Sequence, residues 1–138
     1  MLGRLALAVL LLASSPVGAA SALQIHATCT AELARDPAHV RTLRGELTRA
    51  LRGMRAPPGY TLDVSLVRLG TSATGRELEV RAEVRAMLSD RHGVVQWSSL
   101  SRATARGTAR DRVILQRDAV AHAARDLAKS AGAALRAK

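Results

Sequence analysis

The stretch ELEVRAEVRAML, residues 77–88, places an apolar side chain at every second position from Leu78 to Leu88. This period of two is typical of a β-strand that buries one of its faces. From Glu77 to Arg85 the other positions carry only acidic or basic side chains, as expected of an antiparallel sheet with one face in water. The stretch therefore predicts an antiparallel sheet that needs cover on one side only.

Three other stretches, residues 23–32, 60–67 and 94–104, show the same alternation and are predicted to be strands. In the last of these stretches both faces carry polar side chains, so the alternation alone does not show which face is buried. We expect the face that carries Trp97 to be the buried one, because a large aromatic side chain anchors a core.

The segments between these strands are rich in turn residues. Residues 70–75, GTSATG, are predicted to form a turn or short loop. Residues 89–93, SDRHG, are predicted to form a tight hairpin turn in which Gly93 takes a positive φ. Residues 105–110 are predicted to form a basic loop after the last strand.

Two stretches repeat apolar residues at three- and four-residue spacing, which predicts amphipathic helices. The first begins at Pro37 with Asp36 as its N-cap, because the first helical position does not use the N–H that proline lacks. It ends at Gly53 or in the run Pro57–Gly59. The second starts at Asp111. The two apolar stripes consist of Val40, Leu43, Leu47, Ala50, Leu51 and Met54, and of Val113, Val120, Ala124, Leu127, Ala131 and Leu135.

The predicted order of elements in residues 23–138 is β-α-β-β-β-α. An antiparallel four-stranded sheet with one polar face needs cover on its other face, and the two amphipathic helices supply it. The prediction is therefore a two-layer α+β sandwich with both helices on one face. We expect residues 23–138 to form a single domain, because no linker or internal repeat divides them.

Residues 1–22 have the parts of a cleavable secretory signal peptide: a charged start, the apolar run Leu5–Ala13 and a zone of small residues. Ala20–Ala22 fits the cleavage rule best, with the cut before Leu23, and Val17–Ala19 is a second candidate. The apolar run is shorter than the roughly 20 residues that span a bilayer. We therefore expect export to the periplasm or the medium, with no transmembrane segment in the mature chain.

Cys29 is the single cysteine of the chain. Its position in the first alternating stretch places it on the inward face. Lipid attachment is not predicted, because His26 stands where a lipidation signal has an aliphatic residue. An unpaired cysteine in an exported protein is either a buried thiol or a bridge to another chain. We expect the buried thiol.

The chain carries 21 Lys and Arg against 11 Asp and Glu, a formal net charge of +10. Such a surplus attracts polyanions, although arginines are also common on solvated surfaces. Four arginines around the last strand–helix connection form a candidate patch for an anionic partner, with Arg81 and Arg85 across the sheet; the alternative is a solvated rim. The four are Arg102, Arg106, Arg110 and Arg112.

No motif predicts a catalytic, cofactor or metal site. The four histidines stand singly, without the spacing of a zinc or iron site. No nucleophile elbow and no phosphate-binding glycine loop occurs. Asp118 and His122 lie four residues apart on one helix face, a spacing that is routine for solvated pairs. A hydrolytic site would need the fold to bring a Ser/His or Asp/His pair together.

Two resemblances bear on function. The α-β-β-β-α order of residues 36–135 resembles a double-stranded-RNA-binding domain, but DRVIL, residues 111–115, lacks the lysine cluster that begins the last helix in that family. We therefore exclude that family and expect no nucleic-acid partner. The hairpin LSDRHGVVQWS, residues 88–98, with the Ala-rich helix after it, is similar to a pattern in envelope accessory domains of the curli secretion channel and of assembly lipoproteins. This resemblance implies an envelope protein and no particular site.

Taken together, the sequence predicts an exported, basic, non-enzymatic protein of the bacterial envelope, periplasmic or secreted. It is expected to be a binding or assembly module that acts through its sheet face and basic rim. The expected partners are an anionic envelope polymer, lipid headgroups or an envelope protein. The alternative function is a small secreted hydrolase with a Ser/His or Asp/His site.

Overall fold

The computed structural model describes residues 21–138, so the predicted signal peptide lies outside the described residues except for its last two. Six strands and two helices follow one another along this part of the chain. They are β1 (Ser21–Ala22), β2 (Gln24–Cys29), α1 (Pro37–Ala50), β3 (Arg55–Ala56), β4 (Thr61–Thr74), β5 (Glu77–Ser89), β6 (Val95–Thr108) and α2 (Arg112–Arg136).

The main sheet has four strands in the order β2-β4-β5-β6, covered by both helices on one face. This confirms the two-layer α+β sandwich. The expectation of a fully antiparallel sheet is wrong for one pair, since β2 runs parallel to β4. The reason is α1, which carries the chain back along the sheet, so that β4 starts at the same end as β2. The pairs β4–β5 and β5–β6 are antiparallel, as predicted.

The core lies between the sheet and the helices and consists almost entirely of Leu, Val and Ala. Strand β5 supplies its centre, because every second side chain from Leu78 to Leu88 is buried, as predicted. Trp97 is half-buried on the covered face of β6, as expected, opposite Leu88. Small alanines line the buried side of α2, which lets this helix lie close to the sheet.

Strands β4 and β6 are longer than predicted. Strand β4 continues through residues 70–74, where a loop was expected, and turns only at Gly75, which has a φ of 61°. Residues 105–108, expected in a loop, extend β6 and pair with residues 77–80 of β5. Both differences have one cause. The polar, glycine-containing sequence of these residues predicts a loop hydrated by water, but pairing with β5 provides hydrogen-bond partners for their backbone N–H and C=O groups.

Strand β2 is shorter than the strand predicted over residues 23–32, because the chain leaves the sheet after Cys29 and turns at Leu33–Arg35. Cys29 lies on the covered side and is half-buried, and this burial raises the pKa of its thiol. Helix α1 starts as predicted, with the Asp36 carboxylate accepting a hydrogen bond from the Ala38 N–H at 2.9 Å.

Strand β1 pairs with β3 in a separate two-stranded ribbon. The pairing bears on the two candidate signal cleavage sites. A cut after Ala19 would keep β1 in the mature chain, whereas a cut after Ala22 would remove it. Within residues 21–138, no helix combines the length and the apolar character needed to span a membrane.

The hairpin between β5 and β6 is organised by one carboxylate. Asp90 accepts hydrogen bonds from the backbone N–H groups of His92 at 2.8 Å and Val94 at 3.0 Å, and from the Gln96 side chain at 3.0 Å. Gly93 has a φ of 79°, as predicted. The Val94 bond, assisted by those of His92 and Gln96, holds the pKa of Asp90 below its usual range.

We expect the variant Asp90→Ala to be less stable than the parent at neutral pH. Because the folded pKa of Asp90 is lowered, its stabilising effect is present above the ordinary Asp pKa of about 3.9 and is lost as the pH falls through the folded value. Thermal melts of both proteins from pH 7 to pH 2 should therefore converge in acid. The control is Asp63→Ala, an exposed carboxylate without a side-chain hydrogen bond among the described residues. A constant difference at all pH values would contradict the assignment.

Candidate functional site

Within residues 21–138, no element covers the face of the sheet opposite the helices, and we call this surface the open face. It is built from alternate positions of the three long strands β4, β5 and β6. Its charged side chains are Asp63, Arg68, Glu77, Glu79, Arg81, Glu83, Arg85, Arg102 and Arg106. The period of two that identified β5 thus also selects the residues that line this surface.

Acidic residues of β5 pair with arginines on the open face. Glu79 accepts hydrogen bonds from Arg81 Nε at 2.6 Å and from Arg106 Nε at 2.9 Å. Glu83 accepts one from Arg102 Nε at 3.1 Å. The bond from Arg81, together with that from Arg106, keeps the pKa of Glu79 below its usual range. The Glu79 carboxylate therefore stays ionised at neutral pH and offsets positive charge from the two arginines.

The open face is close to neutral, because five arginines there meet four carboxylates. Shallow grooves run across it. One of about 290 Å³ lies between β5 and β6, with Arg81, Glu83 and Arg102 along its sides.

The four arginines of the predicted anion patch lie on three successive segments of the chain. Arg102 and Arg106 lie on the open face of β6, where glutamates of β5 pair with them. Arg110 lies in the turn that follows β6, and Arg112 is the first residue of α2. The expected neighbour Arg81 does meet Arg106, through the shared Glu79. Anion binding at these residues stays a prediction.

Strand β6 forms one edge of the sheet, and within residues 21–138 no strand pairs with its outer side. An edge of this kind presents unpaired backbone N–H and C=O groups to a possible partner strand. Large apolar side chains are exposed at the hairpin end of this edge and beside it on the open face. They are Met87, Val94, Val95 and Leu100. The alternation in the sequence did not identify Leu100 and Met87 as exposed apolar residues. Leu100 lies between two serines, and Met87 lies on the face of β5 that otherwise carries charged side chains.

The described residues do not assemble the hydrolytic site of the alternative function. Among the side-chain hydrogen bonds of residues 21–138, none joins a histidine to a serine. His92 accepts a hydrogen bond from Arg91 Nε at 3.2 Å in the hairpin turn. Among the ion pairs of the described residues, the one with a histidine ring joins His39 to Asp36 at 3.8 Å, and the Asp36 side chain is largely exposed. No group of three or more potential metal ligands occurs within the described part of the chain.

No protein-family model matches the chain, and no curated protein matches it. The fold is shared with solved structures of low sequence identity. A Xanthomonas campestris protein of the DUF330 family is 15% identical with a TM-score of 0.61, and the match covers 88% of this chain and 90% of that one. A minor lipoprotein from Acinetobacter baumannii is 14% identical with a TM-score of 0.56, over 80% and 92% of the two chains. A hypothetical protein from Chlamydia trachomatis is 10% identical with a TM-score of 0.54, over 85% and 100%.

Proposed function

We propose that the chain is an exported, non-enzymatic module of the bacterial envelope that binds a protein partner along β6 and the adjoining open face. Export is supported by the signal-like residues 1–22. An envelope location agrees with the name of the A. baumannii protein, a minor lipoprotein of similar fold. N-terminal sequencing of the protein from a periplasmic fraction tests export, which an intact Met1 would contradict.

The observation that carries the binding role is the free edge of β6. This strand is 14 residues long and lies beside a face that nothing in the described chain covers. Exposed apolar side chains occur at its hairpin end, where a partner would exclude water. An extended segment that adds a strand to this edge would satisfy its backbone groups and contact these side chains.

The charge of β6 indicates the chemistry of that segment. Between Val95 and Thr108 the strand contains two arginines and no acidic residue. The side chains of Arg102 and Arg106 are 71% and 67% exposed, so their remaining donors are accessible. A second copy of β6 would place its arginines beside those of the first copy, and the like charges would repel. An acidic strand would instead place carboxylates beside these arginines. We therefore propose an extended acidic protein segment as the partner.

The test uses two synthetic peptides of alternating valine and charge, one with glutamate and one with lysine. We expect the acidic peptide to shift and protect the backbone amides of β6 in NMR spectra, and the basic peptide to leave them unchanged. The double variant Arg102→Gln/Arg106→Gln should bind the acidic peptide about five-fold more weakly, since exposed charge pairs contribute roughly 0.2–1 kcal/mol each.

The matched control is Arg68→Gln/Arg85→Gln, which removes two open-face arginines from β4 and β5 and should change the affinity less than two-fold. Equal loss in both variants, or equal effects of the two peptides, would contradict the acidic partner. Protection of β6 that depends only on protein concentration would instead identify a second copy of the chain and overturn the proposal.

A further inference from the structure

The outer surfaces of the two helices enclose a groove on the side of the molecule away from the open face. It has a volume of about 270 Å³. The helices run in the same direction, because residues 41–49 face residues 117–125 while residues 50–54 face residues 128–136. Four arginines and two carboxylates line the groove: Arg41, Arg49, Arg117, Arg125, Glu46 and Asp118.

Two of these arginines have no acidic partner among the residues that the structure describes. Arg49 Nη1 lies 3.3 Å from Glu46, and Arg117 Nε lies 3.9 Å from Asp118. Among the ion pairs of residues 21–138, none involves Arg41 or Arg125. In this described part of the chain, each helix therefore contributes one guanidinium without an ion pair to the groove lining. Guanidinium groups bind phosphate oxygens through two parallel hydrogen bonds.

The groove has open space beside these arginines. Gly45 lies in the middle of α1, where glycine is unfavourable because of its backbone entropy. A Cβ atom built at Gly45 would meet no atom within 4 Å, so the position opens into free space. Across from it, Ala121 of α2 adds only a methyl group. The groove therefore has room for a small anionic group between the two helices.

Exposed aliphatic side chains continue the groove along α2. Val113 is 77% exposed and Ile114 is 48% exposed, in the first turn of the helix. They precede Arg117 and Asp118 by four residues and therefore lie on the same side of the helix as the groove. Aliphatic side chains next to arginines are typical of a helix that lies on a membrane surface.

The charge distribution agrees with this placement. The two helices carry eight basic and three acidic side chains, whereas the open face is close to neutral. We propose that the groove binds the phosphate of an anionic phospholipid headgroup, with Val113 and Ile114 entering the membrane interface. This orientation leaves the open face and the β6 edge accessible. The inference does not depend on the protein-binding role proposed above.

The test is co-sedimentation with vesicles of phosphatidylglycerol and phosphatidylcholine, compared with vesicles of phosphatidylcholine alone. We expect binding only to the anionic vesicles and a steep loss of binding with added salt. The variant Arg41→Ala/Arg125→Ala should lose about thirty-fold in affinity, because each basic residue near such a surface contributes about 1 kcal/mol. The control Arg68→Ala/Arg85→Ala removes the same charge from the open face, which points away from the membrane in this orientation, and should lose less than three-fold.

Two further variants separate the sources of binding. Gly45→Glu places a carboxylate in the groove and should abolish vesicle binding, whereas Gly45→Ala should retain it. Val113→Ser/Ile114→Ser should weaken vesicle binding but leave binding of soluble glycerol phosphate unchanged. Equal losses for the groove and control arginine pairs, or equal binding by both Gly45 variants, would overturn the proposal. Binding of glycerol phosphate with none to vesicles would overturn the membrane role. Circular dichroism melts verify that each variant folds.

Discussion

Replacing Leu88 with alanine is expected to lower the free energy of unfolding by about 3 kcal/mol. Leu88 has no exposed surface and lies on β5, one of the two interior strands of the sheet. It faces Leu62 on β4 and Trp97 on β6. The truncation leaves a cavity, because strands on both sides hold the surrounding side chains in place and prevent collapse. Denaturation by urea, followed by circular dichroism, measures the loss.

The matched control is Leu100→Ala, which makes the same truncation on the open face of the neighbouring strand. Leu100 is exposed, so the cost there should stay below about 1 kcal/mol. A loss at Leu100 as large as that at Leu88 would show that the open face is covered in solution. Equal small losses would instead contradict the central position of Leu88 in the core.

The second large effect is expected at Gly59, where alanine should cost about 3 kcal/mol. Gly59 has a φ of 83°, a left-handed conformation that costs an L-residue roughly 1–2 kcal/mol. A Cβ atom there would also overlap the Cβ of Arg91, in the hairpin between β5 and β6. Relief of that overlap requires movement of one of two turns, which adds roughly 1–3 kcal/mol. Urea denaturation measures this change in the free energy of unfolding.

Gly53 provides the control for this prediction. Its φ of 74° is similar, but an added Cβ would meet nothing within 4 Å. The variant Gly53→Ala should therefore lose only the free energy needed to place alanine in a left-handed backbone conformation, about 1–2 kcal/mol. The difference between the two variants isolates the close approach of the loop after β3 to the β5–β6 hairpin. Equal costs would show that the two turns do not touch.

Local features of the fold were predictable from the sequence. The Asp36 cap, the positive φ of Gly93 and the buried face of β5 depend on residues close together in the chain. The prediction that the Trp97 face of β6 is the buried one is also confirmed, because burial removes the large apolar surface of the aromatic ring from water. Export, the cleavage site and the basic partner patch stay predictions.

The tertiary structure decided the features that depend on distant residues. Helix α1 determines that β2 runs parallel to β4, and pairing with β5 extends β4 and β6 through residues that look like loops. Composition shows a surplus of arginine but does not show which arginines meet a carboxylate. Only cross-strand register brings Arg106 to Glu79, and only helix packing places Arg41 and Arg125 along one groove. The sequence by itself thus determined the periodic elements and their buried faces, because these follow from local side-chain spacing. The balance of charge on each surface required the fold, because it arises between residues far apart in the chain.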